Sequence, residues 1–311
     1  MGAATGAGAV PAHEPGVEPQ PSRPQATQFG SLETTMSGFN GATRLTQSSL
    51  TTFNSCEELY RLKYVERMRA MDAPLALSMG SAFHLGIEEQ DPKSASDLLE
   101  KEMGPAWTEQ DRERLVISSK TVQAMVAGAL NMWSDWPERQ GIEFTLPLMN
   151  PATGRRSRKH IFAGKLDGLW GDRVGEWKTT SRLDRAYVDR LELDFQVSAY
   201  LEAASIMLDK PVSDLSVTYR VVKKPTIRQR KTEGLAEYVA RLQKDYLDRQ
   251  EFYFAELTLT RSDEQMERWR HEAWALHRRI LDIENGGMTI RNTRSCTQFG
   301  RCAFLDLCCG A

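Results

Sequence analysis

The 311-residue sequence has no apolar run approaching the ~20 residues that span a bilayer, and its first residues lack the charged and apolar regions of a signal peptide. Membrane and secreted roles are therefore not expected, and the cytoplasm is the expected compartment. An excess of one charge is missing too. Forty basic against 42 acidic side chains leave a net charge of -2, so any contact with a polyanion has to be local. Cysteine is scarce at five residues, too few for a disulfide scaffold of this length, and there is neither a CxxC pair nor an internal repeat. What the chain does have is 41% hydrophobic residues, enough for a sizeable core in one large domain or two modest ones.

Residues 1–40 are rich in Ala, Gly, Pro, Gln and Thr without apolar periodicity, which predicts a disordered tail. Thr46 to Ser49 can cap a helix carrying Leu50 and Phe53, with a break near Cys56. Further helices are expected from about Ser81 to Gln90, from Ser94 to Met103, and from Thr108 until Pro137 stops the pattern. Strands are expected over Ile142 to Met149, His160 to Trp170 and Val174 to Thr180. A helix from about Asp184 to Leu208, a strand from Leu215 to Val222, a helix from Glu233 to Tyr246 and a strand from Phe252 to Leu259 follow. Ser262 with Gln265 caps a last helix that ends at Gly286-Gly287, and the tail from Met288 shows no clear element. The fold class expected is α/β, or α+β, with a small mixed sheet flanked by helices. The expected division is a helical lobe over 41–140 carrying Cys56 and His84, a core over 141–287, and a cysteine-rich tail over 288–311.

The segment from Gly164 to Lys178 carries the chemistry. Gly171-Asp172 suits the two-residue loop of a type II′ hairpin, which places Trp170 opposite Arg173. The register then sets Asp167 opposite Glu176 on one face, with Lys178 two residues further along that face. Opposed carboxylates repel, and a divalent cation is the natural reason to build them. Such a pair can ligate Mg²⁺ or Mn²⁺ through oxygen, while the neighbouring ammonium orients water or offsets charge on a phosphate, the layout of a metal-dependent phosphodiesterase. A solvated charge cluster is the plain alternative.

Other residues bear on that choice by their order. His84 and Glu88 share one helical face, as do Gln196 and Tyr200. Four of the five cysteines, Cys296, Cys302, Cys308 and Cys309, fall within the last sixteen residues, and clustered thiols in a chain without a secretory signal point to metal rather than disulfides. Cys56 stands far upstream. Arg220, Lys223, Lys224, Arg228, Arg230 and Lys231 form a stretch without an acid, in which Lys223, Lys224, Arg228 and Arg230 are the candidates for DNA phosphates. Arg155, Arg156, Arg158 and Lys159 form a weaker second candidate.

The order His84, Asp167, Glu176-Trp177-Lys178, Gln196-x-x-x-Tyr200, with Cys56 before it and Cys296, Cys302 and Cys308 after it, resembles the PD-(D/E)XK nuclease superfamily in its RecB-like, iron–sulfur branch. AddB-type recombination nucleases, CRISPR-adaptation exonucleases and phage-encoded relatives belong to that branch. The resemblance implies a restriction-endonuclease-like core and a Mg²⁺- or Mn²⁺-dependent deoxyribonuclease, expected to be an exonuclease on single-stranded or frayed DNA ends. It implies metal on His84, Asp167 and Glu176, with Lys178 assisting the attacking water and Gln196 and Tyr200 supporting the site or contacting DNA. It further implies a [4Fe-4S] cluster on Cys56, Cys296, Cys302 and Cys308, with Cys309 spare and structural Zn²⁺ as the alternative. Recombination or replication proteins are the partners such a role would bring. Two other readings are a non-catalytic DNA-binding recombination accessory with the same fold and a zinc-stabilised RNA nuclease.

Overall fold

The computed structural model describes residues 41–68, 75–103, 108–298 and 300–310, so the tail expected over 1–40 lies outside them. A short strand β1 (Thr43–Leu45) leads to α1 (Gln47–Ser55), where the Thr46 side chain accepts from Ser49 N and the Ser49 side chain accepts from Thr46 N, a closed capping box. The expected break falls at Cys56, whose extended backbone (φ -166°) separates α1 from α2 (Glu57–Tyr60) and its π-helical continuation Arg61–Val65. Three helices follow: α3 (Leu75–Glu88), α4 (Pro92–Met103) and α5 (Glu109–Met132). The first of these begins at Leu75 instead of about Ser81, with Gly80 inside it. A helical glycine costs only ~1 kcal/mol, which packing offsets.

Six strands form one mixed sheet: β1, β2 (Arg139–Met149), β3 (Arg156–Trp170), β4 (Arg173–Thr180), β5 (Ser216–Lys223) and β6 (Phe254–Leu259). They run in the order β1-β3-β4-β5-β6, with β2 also pairing β3. The β4–β5 pair is parallel, and α6 (Arg185–Glu192) and α7 (Phe195–Leu208) form its crossover. One long helix was expected over this crossover. The chain breaks at Leu193 instead, since Asp194 caps α7 by accepting from Gln196 N. Two short helices, α8 (Leu235–Asp248) and α9 (Gln250–Tyr253), then lead into β6. The long α10 (Asp263–Glu284) follows, with its Ser262–Gln265 capping box. The tail expected to be featureless contains a 3₁₀ turn (Thr293–Cys296) and α11 (Leu305–Cys309), too short to show periodicity in the sequence.

Alternation along the strands sends side chains into two cores. Val174, Val217, Tyr219 and Val221 pack with α7, α10, α1 and β2. On the other side Trp177 and Val222 pack with α3, α4, α5 and α8. A buried histidine pair pins β3 to α10: His160 Nδ1 lies 2.8 Å from His277 Nδ1, and His160 Nε2 lies 2.8 Å from Glu284. Burial, helped by His160 and Arg278, pushes His277 down to about 4 from an ordinary 6.5. Between those values the unfolded chain binds a proton that the folded one refuses, so stability is lost as pH falls through that window. The melting temperature is expected to decline from pH 6.5 to 5, with His277→Gln flattening that slope in a pH series of thermal melts.

Candidate active site

The hairpin forms in the expected register, pairing Trp170 with Arg173, Leu169 with Val174 and Gly168 with Gly175. Gly171 takes φ +48° while Asp172 does not turn positive, as a type II′ loop requires. The ladder stops one pair short of the carboxylates. There Asp167 Oδ2 itself accepts from Trp177 N at 2.9 Å and meets His84 Nδ1 at 3.2 Å, so α3 is drawn onto the parted strands. On β4, Lys178 Nζ donates to Glu176 Oε1 at 2.5 Å and to Gln196 Oε1 at 2.8 Å. Gln196 Nε2 reaches Glu176 Oε1 at 3.1 Å and also bonds the Tyr200 hydroxyl, which donates to Lys165 O at 3.0 Å. The cap of α7 thus fixes Gln196, one of the two residues that hold the lysine. Behind it Tyr219 Oη donates to Asp194 at 3.3 Å, a support that the spacing of motifs did not indicate.

The two carboxylates are driven apart in acidity. Burial first, then the charge of Asp167, pushes Glu176 up to about 7, against the opposing pull of Lys178 and His84. Burial also acts against the charge on Asp167, but His84, the Trp177 N–H and Lys178 outweigh it and hold its carboxyl below the ordinary range. For His84, burial is likewise outweighed by Asp167, and its pKa rises. Glu176 is 3% exposed, and its Oε2 is buried without any hydrogen-bond partner. An orphaned carboxylate oxygen beside a second carboxylate is costly unless a cation takes it up, so the donor set of Asp167, Glu176 and His84 fits a divalent metal. Among the described residues, no three of His, Cys, Asp and Glu close to the spacing of a bound ion as they stand.

A family model described as the PD-(D/E)XK nuclease superfamily matches residues 44–309. The chain belongs to this superfamily. A crystal structure of a candidate exonuclease from Eubacterium rectale matches its fold with a TM-score of 0.52 at 14% identity, covering 85% of this chain and 90% of that one. No curated protein sequence matches. The six-stranded mixed sheet between helices is the restriction-endonuclease-like core of these nucleases, and the splayed hairpin lies within the matched region.

The second feature of this PD-(D/E)XK protein lies where the α1–α2 junction meets residues 291–309. Cys56, Cys296, Cys302, Cys308 and Cys309 line one cavity of ≈ 130 Å³ together with Leu59, Leu62, Phe304 and Arg291. Burial, then Glu58 and the thiols of Cys302, Cys56 and Cys296, raises Cys308 above the ordinary thiol range. Polar bonds of the chain itself hold this arrangement. Arg279 donates to Glu57 at 2.7 and 2.9 Å, Ile290 N donates to Glu57 at 2.8 Å, and Asn292 and Ser295 both donate to Ser55 O.

The basic stretch divides in two. Arg220 is 1% exposed, with its guanidinium carbon 4.9 to 5.2 Å from the rings of Trp133, Trp170 and Trp177 and its nitrogens donating to Asp135 and Glu256. It is a core cation and not a phosphate contact, because a strand alternates inside and outside whatever the charge of its residues. Lys223 lies 3.6 Å over the Phe252 ring, and burial lowers Lys224. Arg228 and Arg230 are exposed. Lys223 pairs with Thr180, two residues past Lys178, so this loop leaves the sheet at the end that carries the site. Arg158 and Lys159 precede Asp167 on the same strand by eight or nine residues, ~30 Å away.

Proposed function

We propose that this PD-(D/E)XK protein is a Mg²⁺- or Mn²⁺-dependent deoxyribonuclease acting on single-stranded or frayed DNA ends, and that Cys56, Cys296, Cys302 and Cys308 hold a [4Fe-4S] cluster. The observation that carries the reading is the Glu176 carboxylate, one oxygen gripped by Lys178 and Gln196 and the other buried and bare beside Asp167. Asp167, Glu176 and His84 would hold the catalytic cation, which supplies Lewis-acid stabilisation of phosphate charge and a more acidic water. Lys178, fixed between Glu176 and Gln196, presents a pre-oriented ammonium to the nucleophilic water. Tyr200 locks Gln196 in turn, and its bond to Lys165 O ties α7 to β3. A non-catalytic accessory would have no need of this chain of bonds around the lysine.

The thiols that line one cavity are the donors a [4Fe-4S] centre would draw on. The likeness to the iron–sulfur branch supports the cluster. Arg228 and Arg230 are the exposed cations for the DNA backbone.

The test is anaerobic purification with iron and zinc analysis and a visible spectrum, followed by digestion of end-labelled single strands, blunt duplexes and RNA in Mn²⁺, Mg²⁺ or chelator. Metal-dependent loss of single-stranded DNA from an end, by a brown iron-containing protein, is the expected result. Cleavage unaffected by chelator, or of RNA alone, would overturn the catalytic reading, and a colourless zinc protein would overturn the cluster.

A further inference from the structure

Beside the carboxylates a second ion pair crosses the same seam. Glu88 follows His84 by one helical turn on α3, and Lys165 precedes Asp167 by two residues on β3. The same faces of helix and strand are therefore joined by two rungs, His84 to Asp167 at 3.2 Å and Glu88 to Lys165 at 2.6 Å. The rungs differ in exposure. His84 and Asp167 are 36% and 19% exposed, against 40% and 47% for Glu88 and Lys165. The second rung packs over Gly141, whose left-handed φ of +63° L side chains rarely adopt and whose added Cβ would meet the side-chain ends of Glu88 and Lys165.

Carried two residues past Asp167 and Glu176, the hairpin register sets Lys165 across from Lys178, in the region where the strands have parted. The two ammonium groups turn opposite ways, Lys178 inward to Glu176 and Lys165 outward to Glu88. Lys165 is one strand repeat, ~6.8 Å, from Asp167, the scale of the step between neighbouring phosphates of a nucleic-acid chain. An ion pair this open to water is weak, so an incoming phosphate can displace Glu88.

We infer that Lys165 binds the phosphate adjoining the one cleaved, and that Glu88 holds its ammonium in place until a nucleic-acid strand displaces it. This rests on the nuclease reading of the site. In chelator, where nothing is cut, the full-length protein is titrated with a short single-stranded oligodeoxynucleotide across a salt series. Lys165→Gln is expected to bind several-fold more weakly at low salt and to flatten the slope of log affinity against log salt by ~0.7, one phosphate's share on a single strand. Glu88→Gln is expected to bind at least as tightly as the unaltered protein, with no loss of slope. Both changes break the same ion pair, so a purely structural role would move them together. An unchanged slope in Lys165→Gln, or equal weakening by Glu88→Gln, overturns the inference. Failure of the unaltered protein to bind the strand at any salt overturns the nuclease reading along with it.

Discussion

Glu176→Gln is expected to lower metal-dependent cleavage by about 10³-fold or more while raising the melting temperature measured in chelator above neutral pH. The loss follows from removing a carboxylate that would ligate the cation, whose charge stabilisation is worth several kcal/mol. The gain follows from the carboxylate's cost without metal. With its pKa pushed up to about 7 from 4.5, Glu176 favours the protonated, folded form, so its contribution falls as pH rises through that window. At pH 8 the penalty is on the order of 3 kcal/mol, and a neutral amide of the same shape escapes it. Asp167→Ala should be equally inactive but less stable, because it strips the acceptor from Trp177 N and the partner from His84. Lys178→Ala should lose turnover yet still bind metal. Nuclease assays paired with melts in chelator and in Mn²⁺ separate these outcomes, and full activity in Glu176→Gln would refute the assignment.

Serine at Cys56, Cys296, Cys302 or Cys308 is expected to remove bound metal and lower the melting temperature by roughly 10 °C, since metal assembly contributes directly to folding. The loss should stop short of unfolding, because Arg279, Asn292 and Ser295 tie the tail to the α1–α2 junction without metal. Cys309, exposed at the cavity rim, should tolerate serine with little change. Metal analysis and calorimetry on the anaerobically purified variants read both quantities. Equal losses at Cys309 and Cys308 would mean that the choice between the adjacent thiols is wrong.

The hairpin was legible because a two-residue glycine loop admits one register, and that register alone brings Asp167, Glu176 and Lys178 to one face. What the sequence could not convey was the parting of the strands there, where the Asp167 side chain replaces a ladder acceptor. The break between α6 and α7 was hidden because apolar periodicity runs on through Leu193, and only the Asp194 side chain, folding onto Gln196 N, ends it. Arg220 looked like part of a basic loop because Trp133 and the hairpin residues Trp170 and Trp177 reach it from two distant stretches of chain. The Glu88–Lys165 rung escaped for a related reason. Its two halves are 77 positions apart, and only the fold aligns them.

The cavity that joins Cys56 to the four later cysteines also sets a schedule for synthesis. Cys56 precedes Cys296 by about 240 residues, and at ~5–20 residues per second the ribosome takes roughly 12 to 50 seconds to make that stretch. During that interval the first thiol has emerged while its partners do not yet exist. β1, which pairs with His160 to Phe162, waits in the same way for its neighbour. Closure of the cavity therefore waits for the last of these cysteines, and metal delivered earlier would meet a single cysteine with nothing to share it.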